Sequence, residues 1–412
     1  MKFSSCCTET VREESKGSIR IKIYRFLSII LFSLISWYCE LNKEKDILDP
    51  LTVYITTNDY KTVSNIKAEL LACGPVAVAN DDGTMTVAYL ADEESPIESE
   101  TSSSIFIRVA RFNVNSNIEE ILFTDIAKAN TILYGHNTGS AAPYEPNILQ
   151  TDEGVFVMYR EGGLSGKYMS CKVDSNELIC DHYDDMTLDG VLMDPAHLRS
   201  VYEHAGNCIL ETSPVLVFTT QIVHFDNCFY THIGGYEYNG IIVKSENGRD
   251  WESITIPSTV DGLNYILEGA VGRDVVTGNF FLCARGNKVV LYRYDSSFSE
   301  KAEPIVLQGV TTSRPTFFNY QEQLFLIVNM DNDFAFSTGR RNTANIYRVD
   351  GETGNLTRVK TLKCKEGCSY HSVQIVNNDI WMIFQTDARQ IAPETQGRSN
   401  LALYKIDGYD LL

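Results

Sequence analysis

The chain has 412 residues, 44% of them hydrophobic, so it is long enough to bury a large core. Its formal net charge is −19 at pH 7, from 35 Lys and Arg against 54 Asp and Glu. Attraction to phosphate needs clustered Lys and Arg, so this acidity excludes nucleic acid and anionic lipid as general partners. An anionic ligand would have to be held by a local basic cluster.

The N-terminus is predicted to be a targeting segment. Basic residues precede an apolar run at residues 26–38, which has the length of a signal-peptide core and is short for a membrane span of about 20 residues. We expect residues 1–39 to be a signal peptide, a lipoprotein signal acylated at Cys39, or an uncleaved anchor. Each predicts a secreted or cell-surface protein, lipid-anchored or periplasmic forms included, with membrane contact only through this segment.

The cysteines beyond the targeting segment suit an oxidising compartment, where disulfides form. The candidate pairs, by closeness in sequence, are Cys171 with Cys180, Cys208 with Cys228, and Cys364 with Cys368. Cys73 and Cys283 lie in apolar strand patterns and are expected to be buried free thiols. Neither a CxxC pair nor a His cluster with zinc spacing occurs, so we predict no metal site and no cofactor.

A unit of short strands recurs along the chain after residue 70, where helical periodicity is nearly absent. Each copy begins with a short apolar strand, often opened by proline, and continues through a turn into a more aromatic second strand and then a third strand. The copies begin at Gly74, Glu145, Ser213, Glu268, Arg314 and Tyr370. Recurring small sheets of this kind hide their edges by packing radially around a channel.

The repeat therefore predicts an all-β fold, a six-bladed β-propeller over residues 70–412, preceded by a linker at residues 40–69. The alternative is a β-sandwich or a two-domain β protein. Neither would explain why the same order of strand, turn, strand and strand returns along the chain.

The first residue of each copy is predicted to face the mouth of the central channel, because the innermost strand of a blade lines that channel. The charged and aromatic residues at this position are Glu145, Glu268, Arg314 and Tyr370. Arg160 and Arg285 end second strands, where a planar guanidinium can clamp a carboxylate or sugar hydroxyls. Taken singly, each charged residue is explained by a solvent-exposed strand end. Because these residues share one position of the repeat, we predict that they converge in a functional pocket.

Three segments carry a family resemblance. Residues 245–251 read SENGRDW, Glu268 opens a segment that ends at Arg285 (EGAVGRDVVTGNFFLCAR), and Tyr370 lies in SYHSVQIV. These segments resemble the sialidase superfamily of six-bladed propellers. The first is similar to the Asp-box, or BNR repeat, a structural hairpin turn of the form S-x-D/N-G-x-x-W. Arg341 (RNTANIY) is similar to another arginine of that family. The family's order Glu, Arg, Arg, Tyr is then kept here as Glu268, Arg285, Arg341 and Tyr370.

The resemblance implies a retaining, exo-acting glycoside hydrolase that removes a terminal acidic sugar, by default sialic acid, from a glycan. Tyr370 would attack the anomeric carbon, because a neutral nucleophile suits an anionic sugar, and Glu268 would take its proton. The arginines implied to grip the substrate are Arg285, Arg341 and Arg314. Glu98, in an acidic loop after the second strand of the first copy, is the candidate general acid by position.

One position departs from the family pattern. Where the sialidases have an arginine two residues before the proline of the first copy, this chain has Cys73. Arg314 or Arg160 could replace the missing arm from another blade. Two other functions therefore remain open: a hydrolase of the same fold that acts on a neutral or uronic sugar, and a non-catalytic propeller that binds glycan or protein.

Overall fold

Short apolar runs with alternating burial form strands throughout the described chain. The computed structural model describes residues 49–63, 72–94, 102–115, 122–132, 143–151, 154–161, 165–174, 177–204, 221–235, 238–263, 266–307, 313–329, 342–365, 367–387 and 399–412. The predicted targeting segment, Glu98 and Arg341 lie outside these residues. Val53–Leu412 form one compact unit. No helix within the described ranges is long and apolar enough to cross a membrane.

Two strands precede the first repeat, and the next three sheets follow in chain order. The leading strands are β1 (Thr52–Ile55) and β2 (Lys61–Thr62). Sheet 1 contains β3 (Ala72–Ala79), β4 (Thr84–Glu94), β5 (Ser102–Asn113) and β6 (Leu122–Ile132). Sheet 2 contains β7 (Pro143–Thr151), β8 (Gly154–Glu161), β9 (Ser165–Asp174) and β10 (Glu177–Asp185). Sheet 3 contains β11 (Thr187–Leu188), β12 (Val191–Leu192), β13 (Val223–Phe225), β14 (Cys228–Gly235), β15 (Tyr238–Ser245) and β16 (Asp250–Thr255), with helix α1 (Pro195–His204) between β12 and β13.

Three further sheets complete the unit. Sheet 4 contains β17 (Ile266–Arg273), β18 (Phe280–Gly286), β19 (Val289–Tyr294) and β20 (Ile305–Leu307). Sheet 5 contains β21 (Thr316–Tyr320), β22 (Gln323–Asn329), β23 (Thr343–Val349) and β24 (Leu356–Cys364), joined by β1. Sheet 6 contains β25 (Ser369–Val376), β26 (Asp379–Asp387) and β27 (Ser399–Ile406), joined by β2, and a turn of 3-10 helix follows at Gly408–Asp410.

The sheets are held together by apolar clusters between successive sheets. In β18, Phe280 and Leu282 pack toward sheet 3, whereas Phe281 and Cys283 pack toward sheet 5, because successive residues of a strand point to opposite faces. Clusters of this kind join sheet 1 to 2, 2 to 3, 3 to 4, 4 to 5, 5 to 6 and 6 back to 1. The sheets therefore form a closed ring, and the predicted all-β propeller is confirmed.

The ring is closed by pairing the N-terminal part of this unit with its C-terminal part. Lys61 and Thr62 of β2 pair with Leu403 and Ala402 of β27. Val63 N donates to Leu401 O at 2.8 Å. The last sheet thus takes its outer strand from the predicted linker, which removes an exposed sheet edge.

The SENGRDW segment forms a tight turn between β15 and β16. Ser245 Oγ accepts hydrogen bonds from Gly248 N at 2.8 Å and Asn247 N at 3.2 Å. Trp251 is buried, and its indole nitrogen donates to Gly248 O at 3.1 Å. The segment therefore stabilises a hairpin away from the inner strands.

The cysteine predictions have different outcomes. The disulfide between Cys364 and Cys368 is confirmed. Cys180 is also disulfide-bonded, and its partner in the ladder between β9 and β10 is Cys171. Cys283 is a buried free thiol as predicted, and burial raises its pKa.

The predicted pair of Cys208 with Cys228 is wrong for Cys228, which is a free thiol at the start of β14. Its neighbour across the ladder is Phe225 of the same tight hairpin. Cys208 lies outside the described residues.

Candidate functional site

The inner strands of several sheets carry a β-bulge at the head of the repeat. The register shifts between Cys73 and Val76, Tyr144 and Asn147, Ile266 and Glu268, and Ser369 and Ser372. A bulge interrupts the ladder and turns a side chain away from the alternation of the strand. Proline is tolerated at such a position because no ladder hydrogen bond is needed there. At the heads of these strands, the bulges therefore turn side chains out of the regular alternation that packs the sheets.

Glu268, at the head of sheet 4, is the centre of the candidate site. The hairpin register places Arg285 directly opposite Glu268, and Arg285 Nη1 donates to Glu268 Oε2. Arg314, at the head of sheet 5, donates from Nε to Glu268 Oε1 at 2.9 Å. Both carboxylate oxygens therefore have a guanidinium partner, one from the same sheet and one from the next.

This cluster is buried and carries a net positive charge. Glu268 and Arg314 are each 4% exposed. Burial raises the pKa of Glu268, but the positive charges and hydrogen bonds of Arg314 and Arg285 outweigh it, so the pKa lies below its usual value. Glu268 stays ionised at neutral pH, and one carboxylate between two guanidiniums leaves a net charge of +1. The site is thus a local basic cluster in an acidic protein, as anion binding requires.

Tyr370, at the head of sheet 6, lies against this cluster. The guanidinium carbon of Arg314 is 5.3 Å from the centre of the Tyr370 ring, within the range of a cation–π contact. Tyr370 has φ of 51°, a left-handed conformation that costs a non-glycine residue about 1–2 kcal/mol. Ser313 Oγ accepts a hydrogen bond from Tyr370 N at 2.7 Å and helps to hold it. A strained backbone held in this way is typical of functional positions.

Gly74 and Gln385 border the same cluster from sheets 1 and 6. Gly74 N donates to Gln385 Oε1 at 3.3 Å. Gln385 pairs across the ladder with Ser369, the residue before Tyr370. Arg314 Nη1 would be 3.8 Å from a Cβ placed on Gly74. The site therefore receives residues from sheets 1, 4, 5 and 6.

His371, the residue after Tyr370, contacts the disulfide loop. Its ring is fully buried, and Nε2 lies 3.0 Å from Cys368 O. A carbonyl oxygen can only accept, so Nε2 carries a proton. Burial lowers the pKa of His371 to about 4. His371 therefore couples the Cys364–Cys368 disulfide loop to the strand that begins with Tyr370.

The buried imidazole predicts a loss of stability in acid. The pKa of His371 is about 4 in the folded chain and 6.5 in a model peptide, so the unfolded chain binds a proton over this interval that the folded chain does not. The free energy of unfolding should be fully retained above pH 6.5. It should fall by about 3 kcal/mol as the pH drops from 6.5 to 4. Urea unfolding at a series of pH values measures this slope.

The variant His371→Gln should flatten this slope. His224→Gln is the matched control, because it removes an exposed imidazole, and it should keep the wild-type pH dependence. An unchanged slope in His371→Gln would contradict the assignment.

The structure brings four predicted site residues together: Glu268, Arg285, Arg314 and Tyr370. Tyr144 pairs with Arg160 in the ladder of sheet 2, next to the bulge that includes Glu145, but the side chains of Arg160 and Glu145 are not among those described. Glu98 and Arg341 lie outside the described residues, so their roles remain predictions.

The sequence placed Gly74 at the channel mouth but gave no role to its N–H group, and it missed Ser313 and Gln385 as parts of the site. The repeat did contain a signal for Gln385, which follows Tyr370 at the same spacing as Arg160 follows Glu145. The position that ends the second strand was considered only where it held an arginine.

Solved structures identify the class of fold. By sequence, no family model and no curated protein matches the chain. A leech intramolecular trans-sialidase is similar in structure, with a TM-score of 0.54, 12% identity, and coverage of 85% of this chain and 70% of that one. The intramolecular trans-sialidase of Ruminococcus gnavus has a TM-score of 0.51 and 11% identity, covering 85% and 97%. A Dyadobacter fermentans protein of unknown function has a TM-score of 0.51 and 10% identity, covering 86% and 98%.

The chain therefore has the sialidase-like β-propeller fold. At identities of 10–12% the likeness shows the fold alone. Activity has to be argued from the site.

Proposed function

We propose that the chain is a retaining, exo-acting glycoside hydrolase that removes a terminal acidic sugar from glycans. The observation that carries this proposal is the cluster at the inner strand heads, where Tyr370 contacts Arg314 and Arg314 binds Glu268. The cluster unites a nucleophile candidate, a carboxylate and two guanidiniums at one end of the propeller. Its net charge of +1 favours a sugar that carries a carboxylate.

The chemistry begins with Tyr370 Oη, which attacks the anomeric carbon while the glycosidic C–O bond breaks. The phenolic proton passes to Glu268, and a general acid protonates the leaving oxygen. Water then gives a proton to the deprotonated general acid and cleaves the bond between tyrosine and sugar. Glu268 returns its proton to the tyrosine oxygen, which restores Tyr370 and retains the anomeric configuration. Glu98 remains our candidate for the general acid.

The two guanidiniums must loosen their hold on Glu268 before it can act as a base. With both oxygens bound and the pKa lowered, Glu268 accepts a phenolic proton poorly. A substrate carboxylate that binds Arg285 and Arg314 competes with Glu268 for them. The pKa of Glu268 then rises, so the acidic substrate itself activates the base.

We also propose that the protein is secreted or displayed at the cell surface, and that its partner is a glycan. The Cys364–Cys368 disulfide supports an oxidising compartment. Any membrane contact would be made through the N-terminal segment.

A panel of fluorogenic glycosides tests the proposed reaction. We expect the full-length chain to release the fluorophore from the α-sialoside and not from neutral glycosides, with the product's anomeric configuration retained by NMR at early times. Cleavage of a glucuronide or a neutral glycoside alone would instead support the same fold acting on another sugar, as the cysteine at position 73 allows. Turnover of none of the glycosides would contradict the hydrolase proposal.

A non-catalytic glycan-binding propeller is the second candidate. The observation that favours it is the ionised Glu268 with both oxygens paired to arginines, an arrangement suited to fixing two guanidiniums for binding. It predicts measurable affinity for acidic sugars without turnover.

A further inference from the structure

The backbone of Gly74 leaves an open space beside the arginine cluster. Gly74 has φ of 60°, a conformation that L side chains rarely adopt, so the position favours glycine. Within the described part of the chain, a Cβ placed there would meet only Arg314 Nη1 within 4 Å, at 3.8 Å. The missing side chain therefore opens room next to a guanidinium, at the head of the first inner strand.

Gln385 brings a neutral amide into contact with Gly74, at the edge of this space. Gly74 N–H can only donate, so the atom facing it must be the amide oxygen, and this fixes the orientation of the Gln385 amide. Within the described part of the chain the two N–H groups of this amide make no hydrogen bond, so they can donate to a ligand. Gln385 is only half-buried, so a ligand can reach it.

We infer that Gln385 is a specificity-determining residue that donates a hydrogen bond to the anionic group of the bound sugar. This inference rests on the proposed function, and it assigns the space over Gly74 to a carboxylate. Arg314 supplies the charge on one side of this space, and the Gln385 amide supplies uncharged donors on the other.

An amide in this place alters selectivity in a way that another arginine would not. A guanidinium would add a second full charge, whereas the amide adds directed N–H groups without charge. The cluster keeps its net charge of +1 and so matches a ligand with a single carboxylate. We expect the site to prefer monoanionic sugars.

The decisive variant is Gln385→Glu, studied in the full-length chain by calorimetric titration at pH 7. The new carboxylate can still accept the hydrogen bond from Gly74 N, so the contact between the sheets is kept. It removes both donors and places a negative charge beside the ligand. The probes are free N-acetylneuraminic acid and its methyl ester, which differ in charge at the carboxyl group. Affinity for the acid should fall by about 10- to 150-fold, as expected for losing one charge-assisted hydrogen bond, while affinity for the ester should change much less.

Gln374→Glu is the matched control. Gln374 Oε1 accepts a hydrogen bond from Ala79 N at 3.2 Å, so it bridges the same two sheets. Ala79 lies five residues farther along β3 than Gly74, about 16 Å away. This variant should bind both probes like the wild type. Should Gln385→Glu fail to fold, Gln385→Met removes the donors without adding charge and should also weaken binding of the acid.

The outcomes separate this inference from the proposed function. The inference is overturned if Gln385→Glu binds the acid as tightly as the wild type does. It is also overturned if Gln374→Glu loses as much affinity for the acid, or if the wild type does not bind the acid. Selective loss of the acid in a chain that hydrolyses no glycoside would support the inference and overturn the hydrolase proposal. If the chain hydrolyses the sialoside but Gln385→Glu leaves the affinity for the acid unchanged, the hydrolase proposal is supported and the inference is overturned.

Discussion

Glu268→Gln is expected to lower the free energy of unfolding by about 3–5 kcal/mol, although the change is nearly isosteric. It removes the carboxylate that binds both Arg314, whose side chain is 4% exposed, and Arg285, at 16%. Removing one partner of a buried ion pair is strongly destabilising, because the other charge stays buried in a medium of low polarity. Urea unfolding of the full-length chain at pH 7 measures the change, with the slope against urea used to check that the transition remains comparable.

Glu252→Gln provides the matched control for this prediction. Glu252 pairs with Lys244 at 3.1 Å, but the side chains are 67% and 42% exposed. An exposed pair contributes at most about 1 kcal/mol because water and salt screen it. If Glu268→Gln were as mild as Glu252→Gln, the carboxylate would not be the group that holds the two guanidiniums at the strand heads.

Contacts within one sheet could be predicted from the sequence, because the turn of a hairpin sets which residues of its two strands lie opposite each other. The ladder that aligns Arg273 with Phe280 beside the turn also places Arg285 opposite Glu268. The repeat likewise identified Arg314 and Tyr370 as strand heads. Local periodicity and turn residues fix these positions before any tertiary packing is known.

Contacts between sheets could not be predicted in the same way. Gly74 and Gln385 lie 311 residues apart and meet only because sheet 6 packs on sheet 1. The left-handed backbone of Tyr370 likewise makes a hydrogen bond to Ser313, from the neighbouring sheet. Such contacts follow from closure of the ring, which the spacing of apolar residues along one strand does not encode.

The pairing of Glu268 with two arginines changes how the resemblance to sialidases is best interpreted. The resemblance implies a base ready to take a proton from Tyr370. The structure instead holds Glu268 as a low-pKa counter-ion. These roles agree only if the ligand draws the two arginines away from Glu268. The acidic group of the substrate would then activate the base, and a neutral sugar, which lacks that group, would be turned over poorly.

Tyr370→Phe should reduce hydrolysis of the α-sialoside by at least about 10³-fold, because it removes the proposed nucleophile. The phenyl ring keeps the contact with the Arg314 guanidinium, and the main-chain bond to Ser313 Oγ does not involve the hydroxyl. We therefore expect the free energy of unfolding and the affinity for N-acetylneuraminic acid to stay close to the wild-type values. Steady-state kinetics, urea unfolding and calorimetric titration of the same preparation measure the three quantities.

Tyr347→Phe distinguishes the loss of a nucleophile from the loss of any hydroxyl in this part of the ring. Tyr347 lies on β23 of sheet 5, and its hydroxyl accepts a hydrogen bond from Asn345 Nδ2 at 3.2 Å. Its removal should leave kcat unchanged, because the third strand of a sheet lies away from the inner strand heads. Full turnover in Tyr370→Phe would exclude Tyr370 as the nucleophile. A drop in kcat for Tyr370→Phe alone, with binding intact, would place the covalent step at the strained head of sheet 6.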